Sequence, residues 1–210
     1  MKLVYNVCWT AARWAASTLF QLRVVHPERM PQEGGYILAS NHASFLDPPL
    51  VGICSRGDVY YMARKTLMDI PILGNILPHL NLILVERDKV DTSALKIVIR
   101  NIREGKSVVV FPEGTRTLDG QLQPAKPGVG FVIAKTRAPV VPVRVFGSYE
   151  AFPKRGGVRF LPITVVIGET IRFTDAEIGE GGRDDFGRLS QLVMDAIADL
   201  RLPGEDDGPH

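Results

Sequence analysis

Apolar side chains dominate the first 22 residues (MKLVYNVCWTAARWAASTLFQL), and the polar ones, Lys2, Asn6, Thr10, Arg13, Ser17 and Gln21, recur at steps of 4, 4, 3, 4 and 4. That spacing draws one narrow polar stripe down a helix whose remaining circumference is apolar. After it the period changes. Short apolar runs at 36–40, 59–63, 82–85, 107–111, 140–146 and 163–167 predict strands, several of them continuous as in strands covered on both faces. Between them, apolar residues at 94, 95, 98, 99 and 102 predict a helix over 91–103 that Gly105 can end. Residues 128–137 and 186–200 also predict helices, and Pro48-Pro49 opens another. Alternation of this kind gives an α/β fold, a single domain with a mostly parallel or mixed central sheet flanked by helices. The chain divides into an N-terminal amphipathic helix (1–22), the α/β domain (23–202) and a disordered tail (203–210), with 175–185 a polar, glycine-rich mobile loop and no internal repeat.

The N-terminal helix is expected to lie in a membrane interface. A bilayer span takes about 20 mostly apolar residues, and an arginine near its centre costs roughly 2.5 to 3.5 kcal/mol. Arg13 sits near that centre, while Tyr5, Trp9 and Trp14 favour the boundary between water and lipid. A helix docked on the domain and a tilted span are the alternatives.

At 210 residues and 45% hydrophobic composition the chain can bury one sizeable core. The formal charge is +2 although Glu205, Asp206 and Asp207 crowd the tail, so the body is mildly cationic, as suits an anionic surface or substrate. Cys8 and Cys54 are the only cysteines and no signal-peptide cleavage pattern is present, so the expected setting is reducing, on the cytoplasmic face of a membrane. Histidines at 26, 42, 79 and 210 form no metal-ligand spacing, and no structural metal is expected.

The chemistry concentrates in Asn41-His42-Ala43-Ser44-Phe45-Leu46-Asp47, after a predicted strand and before the Pro-Pro helix start. Strand ends in α/β sheets are where sites gather. Neutral imidazole suits removal of a proton from an attacking hydroxyl, and a carboxylate on its other nitrogen fixes the tautomer and stabilises the imidazolium. Five positions apart on a regular helix, His42 and Asp47 would point about 140° from each other, so the pair requires a turn between them. The plainer alternative makes Asp47 an N-cap and His42 an ordinary packed histidine. Phe111-Pro112-Glu113-Gly114-Thr115-Arg116 follows another apolar strand. There Gly114 lets the backbone turn closely around a ligand, Glu113 and Arg116 put charge at one rim, and Arg116 can hold a phosphate through two parallel hydrogen bonds. A structural ion pair between Glu113 and Arg116 is the alternative.

These residues resemble, in order, the sequence blocks of the glycerolipid acyltransferase family, which includes 1-acyl-glycerol-3-phosphate acyltransferase. Asn41-His42-x-x-x-x-Asp47 is similar to the first block. Lys65 with Pro71, Gly74 and Val85-Glu86-Arg87 is similar to the second, Phe111 to Arg116 to the third, and Val140-Val141-Pro142-Val143 to the fourth. The resemblance implies catalysis by His42 and Asp47 without a covalent serine, and acceptor binding by Arg87, Glu113 and Gly114. Arg116 and Lys65 add cations beside them.

The expectation is therefore acyl transfer from acyl-CoA or acyl carrier protein to the sn-2 hydroxyl of 1-acyl-glycerol-3-phosphate, giving phosphatidic acid. The thioester is a substrate and no cofactor is expected. Partners are the lysophospholipid, the thioester, a membrane surface and acyl carrier protein, with no nucleic acid. Competing readings are another acceptor (glycerol-3-phosphate, another lysophospholipid or a lyso-ornithine lipid), a noncatalytic membrane-binding module, or a lipid hydrolase. No GxSxG, P-loop or dinucleotide fingerprint is present, since Glu150 stands where a nucleophile elbow needs its second glycine. Lys126 reads as a loop lysine, and His26 and His79 as structural.

Overall fold

The computed structural model describes residues 2–55, 57–71, 73–85 and 92–204. Its elements run α1 (Lys2–Leu19), β1 (Arg23–Val25), β2 (Ile37–Ser40), α2 (Asp47–Gly52), β3 (Val59–Arg64), α3 (Leu73–Ile76), β4 (Leu82–Val85) and α4 (Thr92–Arg103). They continue with β5 (Ser107–Val110), α5 (Gly128–Thr136), β6 (Val140–Phe146), α6 (Ser148–Ala151), β7 (Thr164–Ile167), α7 (Asp175–Ile178) and α8 (Arg183–Ala198).

Seven strands form one sheet in the order β1-β7-β6-β2-β5-β3-β4. It is mixed: β6 and β7 pair antiparallel and every other neighbouring pair is parallel. The continuous apolar runs have the meaning expected of them. All four residues of β2 and of β5 are buried, because the pleat sends Ile37, Ala39, Val108 and Val110 into a core under α4, α5 and α8. Leu38, Val109, Val141, Val143 and Val145 face the opposite core, under α1 and α2. Pro142 is tolerated inside a strand because its missing amide falls in a gap of the β7 ladder, between the Val143–Ile167 pair and the separate Val140–Ile171 bridge.

The structure adds β1, a three-residue strand too short for periodicity to register. It also corrects the mobile loop expected over 175–185. Thr174 closes a capping box on α7, accepting the Glu177 amide at 3.3 Å while the Glu177 carboxylate accepts the Thr174 amide at 2.8 Å. α8 then begins at Arg183, three residues earlier than the apolar pattern suggested. Most of the expected tail, 205–210, lies outside the described residues.

α1 is docked on the domain beside α2, with its Tyr5 and Ala16, and Phe20 just beyond it, buried. Its apolar surface is thus divided, and Val4, Val7, Trp14 and Leu19 face outward. Arg13 lies over the Trp9 ring and donates to the Ile53 carbonyl at 3.4 Å. Among the described residues no helix is long and apolar enough to cross a membrane.

Candidate active site

The central strands β2 and β5 end side by side, and the loops after them carry the chemistry. Asn41 continues the sheet through its side chain: its Nδ2 donates to the Val145 carbonyl at 3.0 Å and its Oδ1 accepts the Val145 amide at 2.8 Å. The backbone is thereby freed to turn, and residues 44–46 make the turn that the His42–Asp47 spacing required. His42 Nδ1 lies 3.0 Å from Asp47 Oδ2. The same carboxylate oxygen accepts the amides of Ala43 at 2.7 Å and Ser44 at 2.6 Å. Asp47 is fully buried and is the first residue of α2, so it caps the turn before the helix and not the helix's own donors. The imidazole stacks on Phe111, centroids 4.0 Å apart. With Nδ1–H held by a carboxylate, Nε2 is the nitrogen left with a lone pair.

The turn after β5 clamps this histidine. Glu113 Oε1 accepts the His42 backbone amide at 2.9 Å, and the Thr117 amide donates to the His42 carbonyl at 2.9 Å. Glu113 is therefore buried beneath His42, whereas the sequence suggested a rim position, and it makes no ion pair with Arg116 among the described residues. Burial pushes its carboxyl up to about 7, the charge of Asp47 adds to that, and the His42 amide opposes it. Its Oε2 is buried without a partner, as is Asp47 Oδ1. Gly114 adopts φ 66°, and a Cβ there would meet the Lys126 side chain at 3.0 Å.

Arg116 lies with its guanidinium 3.3 Å from the centroid of Phe45, one of its nitrogens buried without a partner. Burial first, and then the nearby charge of Arg64, lower its pKa, with Asp47 opposing. Arg64, at the end of β3, is near enough for its charge to act on Arg116, and Lys65 follows it, exposed on a 3-10 turn. Lys126, a loop lysine by sequence, brings its ammonium nitrogen within 3.3 Å of where a Gly114 Cβ would stand. That closeness is a tertiary contact that no local spacing encodes. Arg87 lies outside the described residues.

Ser44 is disqualified as a nucleophile by its partners. Its hydroxyl donates to the Phe152 carbonyl at 2.7 Å and accepts the Leu46 amide at 3.1 Å, and the residue is fully buried. A cleft lined by Asn41, Ala43, Gly120, Gln121, Arg144 and Tyr149 opens beside the turn. Among the described residues no three His, Cys, Asp or Glu side chains gather as a metal-ligand set. A base held by a carboxylate beside unpaired arginine nitrogen suits proton removal from a hydroxyl on an anionic substrate.

Comparison with known proteins shows the family and the fold. The family model described as Acyltransferase matches residues 21–146. A 1-acyl-sn-glycerol-3-phosphate acyltransferase of Bacillus subtilis is 27% identical over 175 residues, 82% of this chain and 84% of that protein. A chloroplastic 1-acyl-sn-glycerol-3-phosphate acyltransferase of Brassica napus is 32% identical over 147 residues, 68% of this chain but only 42% of the longer plant protein. The crystal structure of the 1-acyl-sn-glycerophosphate acyltransferase PlsC of Thermotoga maritima superposes with a TM-score of 0.68 at 25% identity, covering 96% of this chain and 80% of that one.

Proposed function

The chain belongs to the acyltransferase family, and from that premise we propose that it moves a fatty acyl group from acyl-CoA or acyl carrier protein to the sn-2 hydroxyl of 1-acyl-glycerol-3-phosphate, giving phosphatidic acid. The observation that carries the reading is His42 Nδ1 at 3.0 Å from the buried Asp47 carboxylate. Asp47 holds the proton on Nδ1, so Nε2 takes the acceptor's hydroxyl proton as the oxygen attacks the thioester carbon. The imidazolium that forms is stabilised by Asp47 and returns the proton as the thiol leaves. Direct attack is favoured over an acyl-serine because the Ser44 hydroxyl is already committed to the Phe152 carbonyl.

The acceptor's phosphate is assigned to Arg116, with Arg64, Lys126 and, from the family resemblance, Arg87 and Lys65 as further cations; Gly114 lets the backbone approach it. Glu113 acts as a positioning residue, since its Oε1 is occupied by the His42 amide. Fixing base and phosphate in one frame supplies the orientation that makes attack effectively unimolecular. The mechanism calls for no cofactor. The enzyme works at a membrane surface on the cytoplasmic side, with the outward side chains Val4, Val7, Trp14 and Leu19 of α1 in the interface.

The test is turnover in mixed micelles with acyl-CoA and 1-acyl-glycerol-3-phosphate, following free thiol and phosphatidic acid together for wild type and His42→Ala. Equal amounts of both products that vanish in the variant support the reading. Thiol without phosphatidic acid means hydrolysis, and an undiminished rate in His42→Ala removes His42 as the base.

A further inference from the structure

The segment between α6 and β7, residues 152–163, is not used by the mechanism above, yet it concentrates apolar side chains at the surface. Val158, Phe160 and Leu161 are 49%, 65% and 37% exposed. Grouped exposure of this kind marks an interaction site, where scattered apolar residues would not. The same loop carries Lys154, Arg155 and Arg159, all exposed and without a carboxylate partner among the described residues.

Its backbone is pinned at three places. The Arg159 amide donates to Ala151 at 2.7 Å, Leu161 to Arg159 at 3.0 Å, and Ile163 to the Phe20 carbonyl at 2.9 Å. At one end the Phe160 ring lies 5.8 Å from Phe20, at the end of α1 next to the outward Leu19. At the other, the Phe152 carbonyl accepts the Ser44 hydroxyl and the Phe152 ring lies 5.4 Å from Phe45, inside the turn between His42 and Asp47. One short loop therefore joins the C-terminal end of α1 to the catalytic turn.

We propose that this loop is a second membrane contact, in which Val158, Phe160 and Leu161 enter an anionic bilayer surface and Lys154, Arg155 and Arg159 engage its headgroups, setting the catalytic turn at the lipid boundary. The proposal rests on the lipid-acyltransferase reading. Charge decides the occupant: an interface between two copies would bring the patch against itself, cation facing cation, whereas an anionic leaflet complements it. Two weak anchors, α1 and the loop, also hold a peripheral protein more stably than either alone, and they fix its orientation.

The experiment is flotation of the full chain, with no donor or acceptor present, on vesicles of phosphatidylcholine alone or with phosphatidylglycerol. Wild type binds the anionic vesicles more tightly. Phe160→Ser with Leu161→Ser weakens that binding at least tenfold. Lys154→Gln, Arg155→Gln and Arg159→Gln weaken it about fivefold per residue at low salt and abolish the preference for anionic lipid. Thiol release with a short-chain, water-soluble acceptor stays as in wild type for both variants, and this also verifies that they are folded. Unchanged vesicle binding overturns the proposal, as does dissociation of an oligomer in place of lost vesicle binding. If the soluble acceptor is not acylated by wild type while loop-dependent flotation persists, the reaction is misassigned and the membrane contact stands.

Discussion

Glu113 lies beneath His42 and accepts its backbone amide at 2.9 Å, so the carboxylate of the Glu-Gly-Thr-Arg sequence is turned inward onto the peptide of His42. The Thr117 amide holds the His42 carbonyl from the same turn, and the two loops after β2 and β5 are fastened through both sides of one peptide unit. Glu113→Gln preserves an acceptor at Oε1 and is expected to keep kcat within about fivefold. Glu113→Ala leaves the buried amide unsatisfied, at a cost of roughly 1 to 3 kcal/mol, and is expected to lose most activity. Equal losses in both variants would mean that the negative charge itself is required.

The raised Glu113 carboxyl gives a pH signature. An unfolded glutamate ionises near 4.5 and the native one at about 7, so between those values the native state holds a proton that the unfolded state has released. Stability therefore falls as pH rises through that window, by at most about 3 kcal/mol. Glu113→Gln removes this contribution. Urea midpoints measured from pH 5 to 8 are expected to decline more in wild type than in Glu113→Gln, and parallel profiles would contradict the burial of an ionisable Glu113.

Asp47 combines two duties that the sequence could not separate. Its Oδ2 holds the His42 ring and the amides of Ala43 and Ser44 at once. Asp47→Ala orphans two buried donors and is expected to cost roughly 2 to 5 kcal/mol of stability, where the partly exposed His42→Ala costs far less. Asp47→Asn removes the charge that favours the reactive tautomer, and kcat is expected to drop on the order of a thousandfold or more. Denaturation and turnover measured on all three variants check this, and a rate within tenfold of wild type in Asp47→Asn would make Asp47 structural only.

What the sequence disclosed and what it hid have physical causes. The runs that became β2 and β5 were legible because burial on both faces leaves no polar position in them. The His42–Asp47 pair was legible because five positions before a Pro-Pro helix start admit few conformations. Arg64 ends β3, while Arg116 and Lys126 stand ten residues apart in the connection between β5 and α5, so their convergence is set by packing. Glu113 misled for a related reason: a carboxylate beside an arginine looks like surface, and only the sheet's geometry sends it inward. The even apolar cover of the first helix hid its division, with Tyr5 of α1 and Phe20 just beyond it buried and Trp14 outside.

The cations near the turn should separate in kinetics. Arg116 has a buried nitrogen without a partner and a guanidinium stacked on Phe45, so Arg116→Lys loses both the planar stack and two-point phosphate contact. Its KM for the lysolipid phosphate is expected to rise about tenfold or more, with KM for acyl-CoA little changed. Lys126→Ala is expected to raise the same KM by a smaller factor. A selective rise in the KM for acyl-CoA would move these residues to the donor's phosphates.

Cys54 is expected to be chemically silent in the native state, which bears on any assay that counts liberated thiols. Burial pushes its thiol up to about 12, the nearby charge of Arg13 opposing only weakly, and Sγ donates to the Leu50 carbonyl at 3.2 Å. The thiolate is the reactive species, so at pH 8 only about one part in ten thousand of Cys54 is available. In a Cys8→Ser background, a disulfide reagent is therefore expected to find almost no fast thiol until urea unfolds the protein, after which one equivalent reacts. Cys54 lies immediately beyond α2, the helix that begins at Asp47, so the same measurement reports on the site. Rapid native-state reaction would mean that the end of α2 opens readily, and with it the packing that supports the Asp47 carboxylate.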